Sequence, residues 1–252
     1  MTVRLGDHLA AGPFDLALSA GFFGFFAHAG MLCALDEAGL APERLTGTSA
    51  GALVAGMYAS GRSPHDIANV LLAVRAADFA DPGPGLGWWR GRRFRGILRH
   101  ELGAVDFAGC VRPVAVSAWD VVRRRIDVLD SGDLAAAIHA SCAFPGLLQP
   151  VRIGARWYLD GGIADRAATN GLVPGRRVLH HHLVSRSPWR RPGDPSLAPP
   201  QREGLVALAI GSLPRVGPRR LAAGRVAFER AREATRVALD RPIVDGVVRT
   251  VA

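Results

Sequence analysis

Residues 47–51 read Gly-Thr-Ser-Ala-Gly and lie between two apolar segments of different kinds. Residues 45–48 are a short run with the length of a buried strand, and residues 50–60 are small and apolar, which is typical of a buried helix. The pattern predicts a sharp strand-to-helix turn with Ser49 at its apex. Such a turn exposes a serine hydroxyl and suits a nucleophile.

Two glycines flank this serine, Gly47 and Gly51, and both fit a turn in which a Cβ would clash. The N-terminus of the following helix adds partial positive charge and free N–H groups near a developing oxyanion. We therefore interpret Ser49 as a candidate nucleophile. An inert turn serine is the alternative, because glycine and serine are common and the pentapeptide alone is a weak signal.

A nucleophilic serine needs a base, and Asp160 is the candidate. It follows residues 151–159, whose alternating pattern predicts a hairpin, and it precedes Gly161 and Gly162. An aspartate between a strand and two glycines can keep its carboxylate uncovered at the edge of a sheet. The alternative is an aspartate that accepts backbone N–H bonds in a turn, which is a common role for Asp-Gly.

A third candidate element closes the first predicted strand, where residues 19–24 read Ser-Ala-Gly-Phe-Phe-Gly. Backbone N–H groups in a turn of this kind can face an oxyanion, as acyl transfer requires. The donors would be the N–H groups of Gly21, Phe22 and Phe23. A plain tight turn is the alternative, and this segment alone is weak evidence.

Strands and helices alternate along the rest of the chain, which predicts a layered α/β domain with a mainly parallel sheet. The predicted strands cover residues 14–19, 45–48, 114–119, 125–129, 178–184 and 205–210, besides the hairpin at 151–159. The predicted helices cover residues 27–38, 50–60, 133–142 and 221–239, and one more begins at Ser63 and Pro64.

We expect a single domain over residues 1–252. Its motif-bearing core spans about residues 14–168, and a surface loop rich in Pro, Arg and Ser spans residues 185–201. A C-terminal strand and helix occupy residues 202–252.

The net charge is +9, and all 31 basic residues other than histidine are arginine. A basic surface attracts anionic lipid head groups or nucleic acid, but no nucleic-acid motif accompanies these arginines, so we expect no nucleic-acid partner. The three cysteines have no metal-ligand spacing, and we expect no metal. The absence of a long apolar run and of a secretory signal predicts a cytoplasmic protein, at most peripheral at the membrane surface.

Three segments together resemble, in order, the signature blocks of patatin-like phospholipases. The first is residues 16–32, with Leu-Ala-Leu-Ser at 16–19 and Phe-Ala-His-Ala-Gly at 26–30, and the second is residues 47–51. The third, residues 137–162, reads Ala-Ser-Cys-Ala-Phe-Pro-Gly at 140–146, has Pro150, and ends in Tyr-Leu-Asp-Gly-Gly. The resemblance covers about residues 14–168.

This resemblance implies a three-layer α/β/α fold with a mainly parallel central sheet, and a Ser–Asp dyad in place of a Ser–His–Asp triad. By analogy, Ser49 is the nucleophile and Asp160 is the base. The implied activity is hydrolysis of a phospholipid or another acyl lipid, of phospholipase A type or less specific, through an acyl-enzyme intermediate. The family implies no metal and no cofactor.

The first block departs from the family pattern, in which a run of glycines and one variable residue precede Arg or Lys and another Gly. Here Gly24 stands at the basic position and Phe25 at the following glycine. A positive φ at Phe22 would strain this turn. A weakly active or inactive homologue that binds lipid or a protein partner is therefore an alternative.

A Ser–His–Asp triad is the remaining alternative, because His180, His181 and His182 follow Asp160 in the chain order of α/β-hydrolases. Against it, the serine comes early in a short chain, and neighbouring residues of a strand face opposite sides. We predict that His28 is a packed or hydrogen-bonded residue and does not act as a base.

Overall fold

The computed structural model describes residues 3–184, 191 and 193–252, and its strands belong to one sheet. The strands are β1 (Asp15–Leu18), β2 (Arg44–Thr48), β3 (Val114–Asp120), β4 (Arg125–Leu129), β5 (Val151–Ile153), β6 (Arg156–Asp160), β7 (Val178–Leu183), β8 (Leu205–Gly211) and β9 (Val247–Val251). The α-helices are α1 (Leu5–Ala10), α2 (Phe25–Glu37), α3 (Ala50–Ala59), α4 (Pro64–Ala73), α5 (Arg92–Glu101), α6 (Leu134–Ser141) and α7 (Ala223–Leu239).

The central part of the sheet is parallel, in the order β3-β2-β1-β7-β8-β9. Strands β4 and β6 pair antiparallel with β3, and β5 pairs antiparallel with β6 at the edge. The expected α/β fold with a mainly parallel central sheet is confirmed. Because the carboxyl ends of parallel strands share one edge of a sheet, the turns after β1 and β2 lie side by side there.

Strand β3 changes partner along its length. Its first half pairs with β2 and its second half pairs with β6 on the same side, while β4 runs along the opposite side. Thr48 lies opposite Ser117, and Asp160 lies opposite Ala118. The last residues of β2 and β6 therefore face consecutive residues of β3.

One face of the sheet carries large apolar side chains and is covered by helices. Leu16, Leu18 and Leu179 are fully buried in the main core on this side. Helices α2, α3, α6 and α7 contact the strands here. Burial of these side chains supplies the main hydrophobic stabilisation of the sheet.

The opposite face carries small or polar residues, among them Ala17, Thr46 and His180, which share one row of the sheet. The segment between β6 and β7 passes close over this face, because the Thr46 hydroxyl donates to the carbonyl oxygen of Ala168 at 3.1 Å. An added Cβ at Gly171 would meet Thr46 Oγ1 at 2.6 Å. Turns of this segment therefore cover part of this face.

The predicted strands and helices form within two residues of their expected bounds. The sequence does not predict α1, α5 or β9. The predicted surface loop at 185–201 lies partly outside the described residues, and in its described part Pro195–Leu197 forms a 3₁₀ turn. Among the described helices, none combines the length and the apolar character that crossing a membrane would require.

Helices α2 and α7 approach each other most closely at Gly30. An added Cβ at this position would overlap the carbonyl oxygen of Phe228, which is a backbone atom of α7 and cannot rotate away. By contrast, Gly96 on α5 is exposed, and a Cβ there would have no neighbour within 4 Å. The two glycines form a matched pair for testing this helix contact.

We expect Gly30→Ala to lower the free energy of unfolding by about 1–3 kcal/mol, because overpacking forces the two helices apart. Gly96→Ala should raise it by up to about 1 kcal/mol, because alanine favours the helix and restricts the unfolded chain. Urea unfolding followed by circular dichroism measures both values. A Gly30→Ala variant as stable as wild type would contradict the close helix contact.

Candidate active site

Ser49 lies at the turn between β2 and α3 and contacts Asp160. Its backbone has φ 55° and ψ −118°, a sparsely populated conformation for a residue with a side chain. The Ser49 hydroxyl donates to Asp160 Oδ2 at 2.7 Å. This distance lies within the range for a nucleophile and its base.

The two residues meet because of the partner change on β3. Ser49 directly follows Thr48 at the end of β2, and Asp160 ends β6, which runs in the opposite direction. Their strand partners on β3 are Ser117 and Ala118. The two strand ends thus point at each other, and no long side chain is needed to bridge them.

A network from α6 and β3 holds the strained turn. The N–H of Ser49 donates to Ser141 Oγ at 2.8 Å, and the Ser141 hydroxyl donates to the carbonyl oxygen of Ser117 at 2.7 Å. The Cys142 thiol donates to the carbonyl oxygen of Ser49 at 3.2 Å. Both polar groups of the Ser49 backbone therefore have partners in the C-terminal turn of α6.

Asp160 is almost fully buried, with 4% of its surface exposed. Burial raises the pKa of its carboxyl to about 6, and hydrogen bonds from the Ser49 hydroxyl and from the N–H of Gly162 offset part of that rise. The Gly162 N–H donates to Oδ1 at 2.7 Å. Each carboxylate oxygen thus accepts at least one bond, and the group is ionised at neutral pH while remaining poorly solvated.

Four glycines around the two side chains are required by space. Their φ values lie outside the left-handed region, so conformation alone does not demand glycine. An added Cβ would instead meet a neighbouring backbone or side-chain atom at 3.0 Å or less. The glycines and the atoms they would meet are Gly47 with Gly51 O, Gly51 with Leu18 O, Gly161 with Ser117 O, and Gly162 with Asp160 Oδ1.

The expected oxyanion donors lie in a tight turn between β1 and α2. The N–H of Gly24 donates to the carbonyl oxygen of Gly21 at 2.9 Å and closes this turn. The positive φ lies at Phe23, at 54°, and not at Phe22. Within the described ranges, the N–H groups of Gly21, Phe22 and Phe23 donate to no protein acceptor.

A cavity of about 150 Å³ opens beside the two side chains. Ser49, Asp160 and the three turn residues Gly21, Phe22 and Phe23 all line it. Its other walls are mainly aromatic or aliphatic and include Phe25, Leu53, Phe79, Trp89, Phe94, Phe144 and Leu148. The structure therefore gathers the sequence-predicted residues at the polar end of an apolar cavity.

The strand histidines lie away from Ser49. His180 Nε2 bonds the carbonyl oxygen of Ala167 at 3.0 Å, and His182 Nε2 bonds that of Leu197 at 3.0 Å. Their rings face the turns over the second face of the sheet. These contacts give no support to a Ser–His–Asp triad.

His181 faces the helical side of the sheet and meets His28. Their Nδ1 atoms are 2.8 Å apart, and His28 Nε2 lies 2.8 Å from the carbonyl oxygen of Ser19. Since a carbonyl only accepts, His28 Nε2 carries the hydrogen. His28 is thus a buried, hydrogen-bonded residue, as its place in a helix predicts.

Several residues at the site carry no clear sequence signal. Ser141 and Cys142 fall within the third motif, but nothing in their spacing indicates contact with Ser49. Phe79 and Phe94 come from a segment that reads as irregular or polar. Trp89 lines the cavity, whereas Trp88 is 76% exposed and is not a core residue.

The sequence model of the patatin family, described as patatin-like phospholipase, matches residues 16–172. The match covers more than half of the chain and includes Ser49, Asp160 and the turn after β1. The protein therefore belongs to the patatin-like phospholipase family.

Curated relatives carry the same segment within longer chains. An uncharacterized NTE family protein of Mycobacterium tuberculosis is 32% identical over 153 residues, which is 60% of this chain and 42% of the relative. Lysophospholipase nte1 of Emericella nidulans is 29% identical over 175 residues, 64% of this chain and 11% of the relative. The chain thus spans less than half the length of these relatives. At the level of the family, the similarities support a lipid hydrolase.

Solved structures share the fold. VipD from Legionella pneumophila has a TM-score of 0.57 at 16% identity, with 79% of this chain and 50% of VipD covered. The type III effector ExoU of Pseudomonas aeruginosa has a TM-score of 0.51 at 15% identity, with coverage of 90% and 52%. At such identities the likeness concerns the fold alone.

The buried carboxyl of Asp160 makes stability depend on pH. Its pKa is about 6 in the fold and 3.8 in a model peptide, so between these values the native state holds a proton that the unfolded chain has lost. The contribution of Asp160 to the free energy of unfolding therefore falls as pH rises from about 4 to about 6, and the loss persists at higher pH.

Asp160→Asn removes this titration. We expect the stability advantage of the variant over wild type to grow by about 2 kcal/mol between pH of about 4 and about 8. Urea unfolding of both proteins at the two pH values measures the difference. An advantage that is equal at both values would contradict the raised pKa.

Proposed function

We propose that this protein is a serine lipid acyl hydrolase in which Ser49 is the nucleophile and Asp160 is the general base. The observation that carries the proposal is the 2.7 Å bond from the Ser49 hydroxyl to a buried carboxylate. The family match and the apolar cavity support it.

In the first half of the reaction, Ser49 Oγ attacks the ester carbonyl carbon while Asp160 Oδ2 takes the hydroxyl proton. The carbonyl oxygen becomes an oxyanion, and N–H groups of Gly21, Phe22 and Phe23 stabilise it. The bond to the alcohol then breaks, and Asp160 returns its proton to the leaving oxygen. An acyl group remains on Ser49.

In the second half, a water molecule attacks the acyl carbonyl while Asp160 takes one of its protons. Collapse of the second oxyanion breaks the bond to Ser49 Oγ, which regains the proton from Asp160. A fatty acid leaves, and both side chains return to their starting state. General-base assistance of this kind contributes about 10²–10⁴-fold in rate.

The raised pKa of Asp160 suits this role. A carboxylate with a pKa of about 6 is a stronger base than a solvated aspartate, yet it remains ionised at neutral pH. Burial is the main cause of the rise.

The substrate class follows from the cavity. Apart from Ser49, Asp160 and Arg166, the residues that line it are apolar or glycine, which fits an ester with a hydrocarbon tail. A phospholipid or another acyl lipid meets this requirement. The activity is then of phospholipase A type or a non-specific acyl-ester hydrolysis.

We also propose that the enzyme binds peripherally to the membrane surface. Phe22, which lines the cavity, is 53% exposed, and Leu86 and Trp88, just before the cavity-lining Trp89 in the chain, are 81% and 76% exposed. The N–H of Trp88 donates to the carbonyl oxygen of Gly146 at 3.1 Å, which joins the loop at 81–91 to the segment lining the cavity. Exposed apolar side chains grouped at a site entrance are typical of lipid contact.

Positive charge accompanies these apolar side chains. Arg90, Arg92 and Arg93 are exposed on the same segment, and each arginine near an anionic surface contributes about 1 kcal/mol of attraction. Peripheral binding to anionic vesicles follows from the two features together.

A second candidate is a homologue that binds lipid with little or no turnover. The observation in its favour is the turn after β1, where Phe23 has φ 54° and Gly24 replaces the basic residue of the family pattern. A loss of one oxyanion donor lowers rates by about 10²–10³-fold.

The dyad is tested by substitution. We expect Ser49→Ala to lower kcat/KM for p-nitrophenyl esters and phosphatidylcholine by at least about 10³-fold, and Asp160→Asn by at least about 10²-fold. Ser131→Ala, at an exposed serine, should retain full activity.

A fluorophosphonate should label wild type but not Ser49→Ala. Absence of labelling in folded wild type would favour the second candidate, and labelling of Ser49→Ala would exclude Ser49 as nucleophile.

The membrane surface is tested by cosedimentation with vesicles of phosphatidylglycerol and phosphatidylcholine. We expect Leu86→Ser/Trp88→Ser to weaken binding by at least about tenfold, because two large apolar side chains no longer enter the lipid. Val105→Ser is the control, since Val105 is 85% exposed and lies beside Leu134, at the end of α6 away from Ser141. Equal binding by wild type and the double variant would contradict this surface.

A further inference from the structure

A second, smaller cavity lies behind the first. Its volume is about 30 Å³. Seven residues line this cavity but not the first. One is Glu101, and the other six are apolar and come from α3, from α4 with the residue after it, and from α5: Met57, Val70, Leu71, Val74, Ile97 and Leu98. Apart from Glu101, its lining residues offer no side-chain polar group to hold water.

The two cavities share one wall. Phe25, Leu53, Phe79 and Phe94 line both of them. Leu53 lies one helical turn after Ser49, and its N–H donates to the Ser49 carbonyl oxygen at 3.1 Å. The wall therefore begins next to the nucleophile and separates it from the inner void.

Two members of this wall, Phe79 and Phe94, come from the connecting segment between α4 and β3. Their ring centroids are 5.7 Å apart, and the Phe79 ring lies 5.9 Å from that of Phe23 in the turn after β1. Phe25 and Leu53, by contrast, belong to the core helices α2 and α3. Phe79 is only partly buried and can therefore be changed with less disturbance of the core than Phe94, which is buried and contacts His139 of α6.

We propose that Phe79 and Phe94 are specificity-determining residues that close the inner end of the acyl site and limit the acyl-chain length. The proposal rests on the function proposed above, because it needs an ester bound with its carbonyl at Ser49. The tail then runs along the first cavity and stops at the two rings. A longer tail would enter the inner void only if one ring were absent.

Removing a ring should therefore favour long chains selectively. Each further methylene buried in an apolar site contributes about fourfold to kcat/KM. We expect Phe94→Ala to raise the ratio of kcat/KM for p-nitrophenyl palmitate over p-nitrophenyl butanoate by at least about tenfold. The ratio is informative because a general loss of activity lowers both terms alike.

Three further variants distinguish closure of the acyl site by these two rings, called the gate below, from a general loss of activity. Phe79→Ala removes the half-buried ring and should shift the ratio in the same direction, even if Phe94→Ala folds poorly. Adding Val70→Phe to Phe94→Ala refills the inner void, since Val70 lines that void alone, and should return the ratio toward wild type. Phe107→Ala removes a partly buried ring that lines neither cavity and should leave the ratio unchanged.

The outcomes distinguish the two proposals. Wild type that hydrolyses no ester in the series would overturn the proposed function. Active wild type with the same chain-length profile in Phe94→Ala and Phe79→Ala would overturn the gate and leave the hydrolase standing. A shifted ratio that Val70→Phe reverses supports the gate.

Discussion

Ser49 and Asp160 are 111 residues apart in the chain and share a hydrogen bond. They meet because β3 is longer than β2, so that β6 can pair with the part of β3 that β2 leaves free. Strand pairing gives each residue a defined partner, since register can change only in whole residues. The geometry of the two side chains is therefore set by the sheet, and the helices and turns serve to keep the two strand ends in place.

This arrangement leaves little room between the ends of β2 and β6. Glycines are needed wherever a backbone passes directly over another, as Gly51 does over Leu18 and Gly161 over Ser117. The same crowding forces Ser49 into a strained conformation that its bonds to the end of α6 maintain. Strain and desolvation thus concentrate on the pair of residues to which we assign the chemistry, a pattern that active sites commonly show.

Short apolar runs bounded by turn residues were sufficient to predict most strands and helices, and the strand–turn–helix context singled out Ser49. Helix α5 escaped prediction because it contains four arginines and a glycine and buries only Phe94 and Leu98. Strand β9 is short and ends the strand order beside β8. The cavity walls could not be inferred, since Phe79 and Phe94 acquire their role only when distant segments pack together. The local sequence pattern predicts whether a segment is a strand or a helix. The contacts at the cavity join residues that lie far apart in the chain.

The bond between His28 and His181 fixes one arrangement of protons in the interior. Burial disfavours a positive charge on either ring. In a neutral His28, Nε2 donates to the carbonyl oxygen of Ser19, so its Nδ1 accepts the hydrogen of His181 Nδ1. Burial likewise holds the pKa values of His139, His180 and His182 below the ordinary 6.5. Below that pH the unfolded chain takes up protons that these folded imidazoles refuse, so acidification favours unfolding. These histidines therefore oppose the effect of Asp160 on stability, and the neutral imidazole pair holds the backbone at Ser19, directly after β1.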